Sequence, residues 1–297
     1  MSYRLNENWS GLSFLVLQRK ITGEVLDRYS VYRRLIVRVP GSSSGYSPSK
    51  IKGARIMTFI DWAESGFMGG GFTATQAESW GKFDADHGYA GAICDLGHVS
   101  KIVTAMGGVA GVVTYAADIG KNYAKGFPAG TFSVEFSNED ADSAQGKQAA
   151  EIQNGLLSQI GALTPFFDAE PSYGTPSGTL SMVQSYTEYT SAGLIGDLGY
   201  YANYGWDCKN LKQLIDAMGG TGNQTIQAYY SGNPGNYVSC GLTDFLGVHG
   251  AHVSSQDALG YQGAINAFKS AFGVCPQYVL ISGGAANSFD ATTLTCS

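Results

Sequence analysis

Arginine stops at Arg55. Beyond it the chain holds eight lysines against 21 carboxylates, a balance of −13, whereas the first 55 residues carry ten cations against three carboxylates, or +7. Charge is scarce as well as unevenly placed, at 14% of residues. The five cysteines (Cys94, Cys208, Cys240, Cys275, Cys296) are far apart and form no CxxC and no Cys/His pair, which excludes a structural zinc site of the usual spacing. An odd count leaves at least one thiol free or paired between chains, and Cys275 and Cys296 are candidates to bridge the C-terminal tail. Histidine is limited to His87, His98, His249 and His252. His249 and His252 stand three apart in a Gly-rich segment, and no metal is assigned to them. No apolar run is long enough to span a bilayer. Met1 to Glu7 lacks the apolar region of a signal peptide. The glycines of Met68-Gly69-Gly70-Gly71-Phe72 are not followed by the Lys and Ser/Thr of a phosphate loop, and no cofactor is expected.

Glycine (41) and tyrosine (18) are abundant. With little charge, that composition favours an extracellular or virion-associated protein, exported without a classical signal peptide. Residues 1–50 read as a basic, β-rich arm. Leu12 to Gln18 and Val31 to Val39 have strand composition, and Pro40 to Pro48 is a Gly/Ser/Pro linker. A basic arm joined to an acidic body attracts itself, so the expected partner is another copy of the chain. The arginines alternate with apolar residues instead of clustering, so nucleic acid ranks below self-association.

From residue 51 to 297 strands and helices alternate. Strands are expected at Ala54 to Asp61, Tyr89 to Leu96, Val109 to Asp118, Thr131 to Phe136, Leu163 to Pro171, Leu194 to Asn203, Gln224 to Tyr230 and Gly250 to Gln256, with an added one at Pro276 to Ser282. About eight such units over about 200–250 residues predict a (β/α)8 TIM-like barrel, with a doubly wound open sheet as the alternative. The most informative strand runs Phe166-Phe167-Asp168-Ala169-Glu170-Pro171. Alternation puts Asp168 and Glu170 on one face, where each carboxylate makes the other harder to ionise. Strand ends also carry Asp61, Asp95, Tyr115, Glu135, Tyr201 and Tyr229, and one barrel mouth would collect them all.

The order of three pieces resembles glycoside hydrolase family 25 and its glycoside-hydrolase-like relatives. They are Phe59-Ile60-Asp61-Trp62, then Phe167-Asp168-Ala169-Glu170, then Gly193-Leu194-Ile195-Gly196-Asp197-Leu198-Gly199-Tyr200-Tyr201. The resemblance implies a lysozyme-like hydrolase with Glu170 as proton donor and Asp168 and Asp61 supporting charge. Trp62, Asp95, Tyr115, Glu135, Tyr201, Tyr229 and Gln256 would hold a cell-wall or other polysaccharide. The alternative is a non-catalytic virion or filament subunit that self-associates through the basic arm.

Overall fold

The structure is a computed structural model that describes residues 56–62, 74–161, 164–170, 173–199, 206–219, 224–227, 234–249, 258–282 and 290–296. The expected basic arm and linker, the Met68 to Phe72 loop and the expected strand at Gly250 to Gln256 lie outside these residues.

Eight parallel strands close into a barrel in chain order. They are β1 (Met57–Trp62), β2 (Gly91–Asp95), β3 (Thr131–Ser137), β4 (Phe166–Ala169), β5 (Ile195–Leu198), β6 (Gln224–Gln227), β7 (Gly247–His249) and β8 (Tyr278–Ser282). Between them run α1 (Ala74–Asp86), α2 (Val99–Ala105), α3 (Val109–Gly126), α4 (Ser143–Ile160), α5 (Pro176–Tyr189), α6 (Cys208–Ala217), α7 (Pro234–Ser239) and α8 (Ala258–Phe272). The chain is therefore a TIM-like α/β barrel. Among the described residues, no single helix is long and apolar enough to cross a membrane.

The barrel differs from the expected strand list in three places. Val109 to Asp118 is the start of α3. Its apolar residues continue at helical spacing through Val112, Val113, Ala116, Ala117, Ile119 and Tyr123, all buried on one face. A window that stops at Asp118 sees only a β-branched run. Gly247–His249, which is not among the expected strands, is β7. The strand at the C-terminus is β8, which pairs with both β1 and β7 and closes the barrel instead of adding to it.

Period-2 alternation separates two cores. Ile60, Ala92, Cys94, Val134, Phe136, Phe167, Ala169, Leu198, Val248, Val279 and Ile281 face outward and pack with the helices. Phe59, Ile93, Phe166 and Leu280, with Ile195 and Tyr278, form a separate cluster inside the barrel. Full burial of each such side chain contributes about 1.5–3 kcal/mol, so this inner layer is a plug and not a pore.

Helix ends are fixed locally. Asp142 accepts from Gln145 N at 2.8 Å, Thr175 from Gly178 N at 3.2 Å and Asp207 from Asn210 N at 2.9 Å, capping α4, α5 and α6. The helical layer is tight where α4 meets α5: a Cβ at Gly146 would sit 2.1 Å from the Met182 carbonyl. Two disulfides close the later part of the chain. Cys208–Cys240 joins the start of α6 to the end of α7, and Cys275–Cys296 ties the tail to the approach of β8, as the sequence reading placed it. Cys94 is buried on β2, outside both bridges.

Candidate active site at the barrel mouth

Two residues beyond the inner apolar layer, the inward positions turn polar. On β2 Ile93 is followed by Asp95, on β3 Ser133 by Glu135, on β4 Phe166 by Asp168, and on β5 Ile195 by Asp197. On β7 Gly247 is followed by His249. Neighbouring strands are in register at this level. Asp95 is the partner of Glu135, Ser137 of Asp168, and Asp168 of Asp197. Register partners on adjacent parallel strands share a face about 4.8 Å apart, so Asp95/Glu135 and Asp168/Asp197 are side-by-side carboxylate pairs. By the same register the backbone of Asp61 on β1 is the partner of Ile93.

The deepest members are Asp197, fully buried, with Glu135 and His249 nearly so. Asp95, Asp168 and Glu170 are half-buried. The Asp197 carboxylate is hydrogen-bonded to His249 Nδ1. These residues sit on β5 and β7 with β6 between them, so both side chains must project into the barrel interior. An imidazole held through Nδ1 by a buried carboxylate has its tautomer and orientation fixed, which is the usual preparation of a general base.

The loops beyond the strands hold this arrangement in place. Asn138, fully buried after β3, donates from Nδ2 to the Glu170 carbonyl at 2.9 Å and to Thr179 Oγ1 at 3.1 Å. Its Oδ1 accepts from Glu170 N at 3.1 Å, and its backbone N donates to the Asp168 carbonyl at 3.0 Å. One side chain thus fixes the exit of β4, where Asp168 and Glu170 stand. Asp95 accepts from Gly97 N at 2.6 Å, which turns the chain from β2 into its loop. Tyr237 of α7 donates to the Leu198 carbonyl at 2.6 Å, clamping β5 one residue from Asp197.

The charged residues on the strands and on the stretches that follow them are carboxylates, and the lysines lie on the helices. All eight lysines beyond residue 55 lie on helices: Lys82 on α1, Lys101 on α2, Lys121 and Lys125 on α3, Lys147 on α4, Lys209 and Lys212 on α6, and Lys269 on α8. No strand, and no stretch between a strand and the helix after it, contains Lys or Arg. The side-by-side carboxylates are oxygen donors of the kind that hold hard divalent cations. Among the described residues, the group with three ligand atoms within 4.8 Å of one another is His98, Glu139 and Asp140, on the loops after β2 and β3.

Of the sequence-predicted residues, Asp95, Glu135, Asp168 and Glu170 are brought together at the mouth. Asp61 and Trp62 end β1, and their side chains lie outside the described residues, as do Tyr201, Tyr229 and Gln256. Tyr115 is not at the mouth. It lies on α3, half-buried, and lines a shallow groove of about 630 Å³ with Lys121 and Gln159 of α3 and α4. The error follows from reading α3 as a strand. Sequence reading also missed Asp197 and His249. The alternation Ile195-Gly196-Asp197 carried a signal for the first, whereas the three-residue β7 carried almost none for the second.

No protein-family model matches the chain, and no curated protein matches it. Solved structures do. A protein of Labrenzia alexandrii described as a mandelate racemase/muconate lactonizing enzyme is 11% identical, with 82% of this chain and 58% of that one covered at a TM-score of 0.50. A Pseudomonas aeruginosa protein described as a dihydrodipicolinate synthetase is 9% identical, with 78% and 72% covered at 0.50. A mandelate racemase/muconate lactonizing enzyme from Roseiflexus is 10% identical over 76% of this chain and 55% of that one, at 0.47. The chain thus spans little more than half the length of the racemase-type barrels. At these identities the likeness shows the fold.

The Labrenzia alexandrii and Pseudomonas aeruginosa barrels overturn the resemblance to glycoside hydrolase family 25, together with the lysozyme-like, carbohydrate-binding hydrolase it implied. The three short pieces that carried it are strand ends that any barrel with an acidic mouth can display. Asp168 and Glu170 stand among the acids of β2, β3 and β5 instead of forming an isolated catalytic pair. The alternative of a virion or filament subunit finds no counterpart in those two barrels either.

Proposed function

We propose that the chain is an enzyme that moves a proton on a small neutral or cationic molecule held at the C-terminal mouth of the barrel. The observation that carries this reading is the buried Asp197–His249 pair, set among carboxylates with no Lys or Arg on any strand or following stretch. Asp197 holds His249 through Nδ1, and Nε2 on the opposite edge of the ring is the atom assigned to take and return the proton. A group in that role contributes about 10²–10⁴-fold to rate. Asp168 and Glu170 are assigned to substrate positioning, with Asp95 and Glu135 on the neighbouring strands. The same carboxylates repel an anionic substrate that brings no cation of its own. An imine-forming lysine is excluded at the strands, since none carries one.

The likeness to racemase and synthetase barrels supports the fold, and the chemistry rests on Asp197 and His249. The mouth of a TIM barrel is where active sites of this fold are built. The two disulfides add a preference for an oxidising compartment. The test is proton NMR of pooled small amines, amides and hydroxy compounds in D2O with wild-type protein and with His249→Gln. A substrate carbon-bound hydrogen should exchange with wild type and stop exchanging with the variant. Undiminished exchange by folded His249→Gln would remove the assignment.

A further inference from the structure

The loops that leave β2 and β3 bring together His98, Glu139 and Asp140, none of which the acid–base reading uses. His98 is the residue before α2, and it is about 4% exposed. Its side chain does not cap that helix. Its Nδ1 is buried and meets no hydrogen-bond partner. Its Nε2 is directed at the neighbouring loop, 4.0 Å from Asp140 Oδ2 and 3.3 Å from Ser100 Oγ. Glu139 stands beside Asp140, and one ligand atom from each of the three residues lies within 4.8 Å of the others. The backbone fixes the two loops to each other, with Ser137 N donating to the Gly97 carbonyl at 3.0 Å.

The geometry points to a divalent transition-metal site at the rim of the mouth, ligated by His98 Nε2 and by the carboxylates of Glu139 and Asp140. A nitrogen and an oxygen bound to one ion at about 2.0–2.2 Å each are separated by about 3–4 Å, so the His98–Asp140 spacing closes on an ion with little movement. One imidazole and two carboxylates suit zinc, manganese or ferrous iron, whereas magnesium and calcium prefer oxygen alone. Asp140 is exposed, so the outer coordination positions face solvent and stay open to water or a ligand. Glu139 is already engaged. Lys101 Nζ lies 2.6 Å from its Oε1, an ammonium that competes with the ion for the same oxygen. Metal uptake therefore displaces Lys101, and this competition gives the site its own signature.

The site is independent of the Asp197–His249 pair, which lies on β5 and β7, and its test reads binding and not turnover. The full chain, stripped with chelator, is titrated calorimetrically with Zn2+ and, separately, Mn2+, with Mg2+ as the comparison. One equivalent of Zn2+ should bind saturably, and Mg2+ should bind much more weakly. Glu139→Gln and His98→Ala should each weaken Zn2+ by about tenfold or more, since losing a ligand costs at least what losing an outer-shell partner does. Lys101→Met, at an exposed helical position, should tighten Zn2+ binding by several-fold. No saturable binding by either wild type or Lys101→Met overturns the site. So does binding that is unchanged in Glu139→Gln and in folded His98→Ala. Because Lys101→Met and Glu139→Gln alter exposed or half-exposed positions, the result holds even where His98→Ala fails to fold.

Discussion

Replacing Asp84 by Asn should remove most of the pH dependence of this barrel's stability between pH 4 and pH 8. Asp84 lies at the end of α1, facing α3, and is fully buried. Its Oδ2 accepts from the Tyr123 hydroxyl at 2.6 Å, and its Oδ1 has no partner. Burial raises its pKa from 3.8 to about 7, against the Tyr123 hydrogen bond, which favours the charged form. The folded state therefore holds the proton more tightly than the unfolded chain. Stability from this group is fully present below about pH 4, declines as pH rises, and is lost above about pH 7. A shift of about 3 units corresponds to about 4 kcal/mol across that window, and for a domain of this size to about 8–16 °C in Tm. Urea unfolding at pH 4, 5, 6, 7 and 8, with the disulfides kept oxidised, measures it. Wild type should lose about 4 kcal/mol across the series beyond the loss shown by Asp84→Asn. Tyr123→Phe removes the bond that favours the carboxylate, so its upper edge should move above pH 7. Parallel curves for wild type and Asp84→Asn would refute the claim that a buried carboxyl between α1 and α3 controls this slope.

Other outcomes follow from single contacts. Asn138→Ala removes the three side-chain bonds that hold the β4 exit and should cost about 2–4 kcal/mol in denaturant unfolding. It should also release Glu170, which faster hydrogen exchange at its amide would report. Replacing Cys275 and Cys296 by serine opens a loop of 21 residues' separation and should lower stability by about 3 kcal/mol in the same assay. His249→Ala leaves the buried Asp197 carboxylate without this hydrogen-bond donor and should destabilise by about 1–3 kcal/mol, whereas Asp197→Asn, which leaves no buried charge, should cost less. The order of the two midpoints in urea checks it.

Much of the barrel was legible because its strands carry a strong period of two. Thr131-Phe132-Ser133-Val134-Glu135-Phe136-Ser137 states both its faces outright, and Phe166 and Asp168 share a face for the same reason. What failed was local composition without length. Val109 to Tyr115 looks like a strand until its apolar period is followed to Tyr123, and with that correction Tyr115 moves from the mouth to the helical layer. β7 is only Gly247-Val248-His249, too short for any periodicity, so His249 could be found only through the partner it meets across the barrel. The family resemblance failed because an acidic residue two places after an apolar one recurs on β1, β2, β4 and β5, which makes it a property of this mouth and not of one family.

The central claim is that the mouth is an acid–base site among strand carboxylates that receives neutral or cationic molecules. The measurement that tests it most directly is ligand binding by class. Matched sets of small amines, neutral polyols and amides, and carboxylates and phosphates are screened by thermal shift in metal-free buffer against wild type and Asp168→Asn. Stabilisation by amines or neutral compounds that disappears in Asp168→Asn is the predicted result. Stabilisation by phosphates or carboxylates that persists in that variant would contradict it.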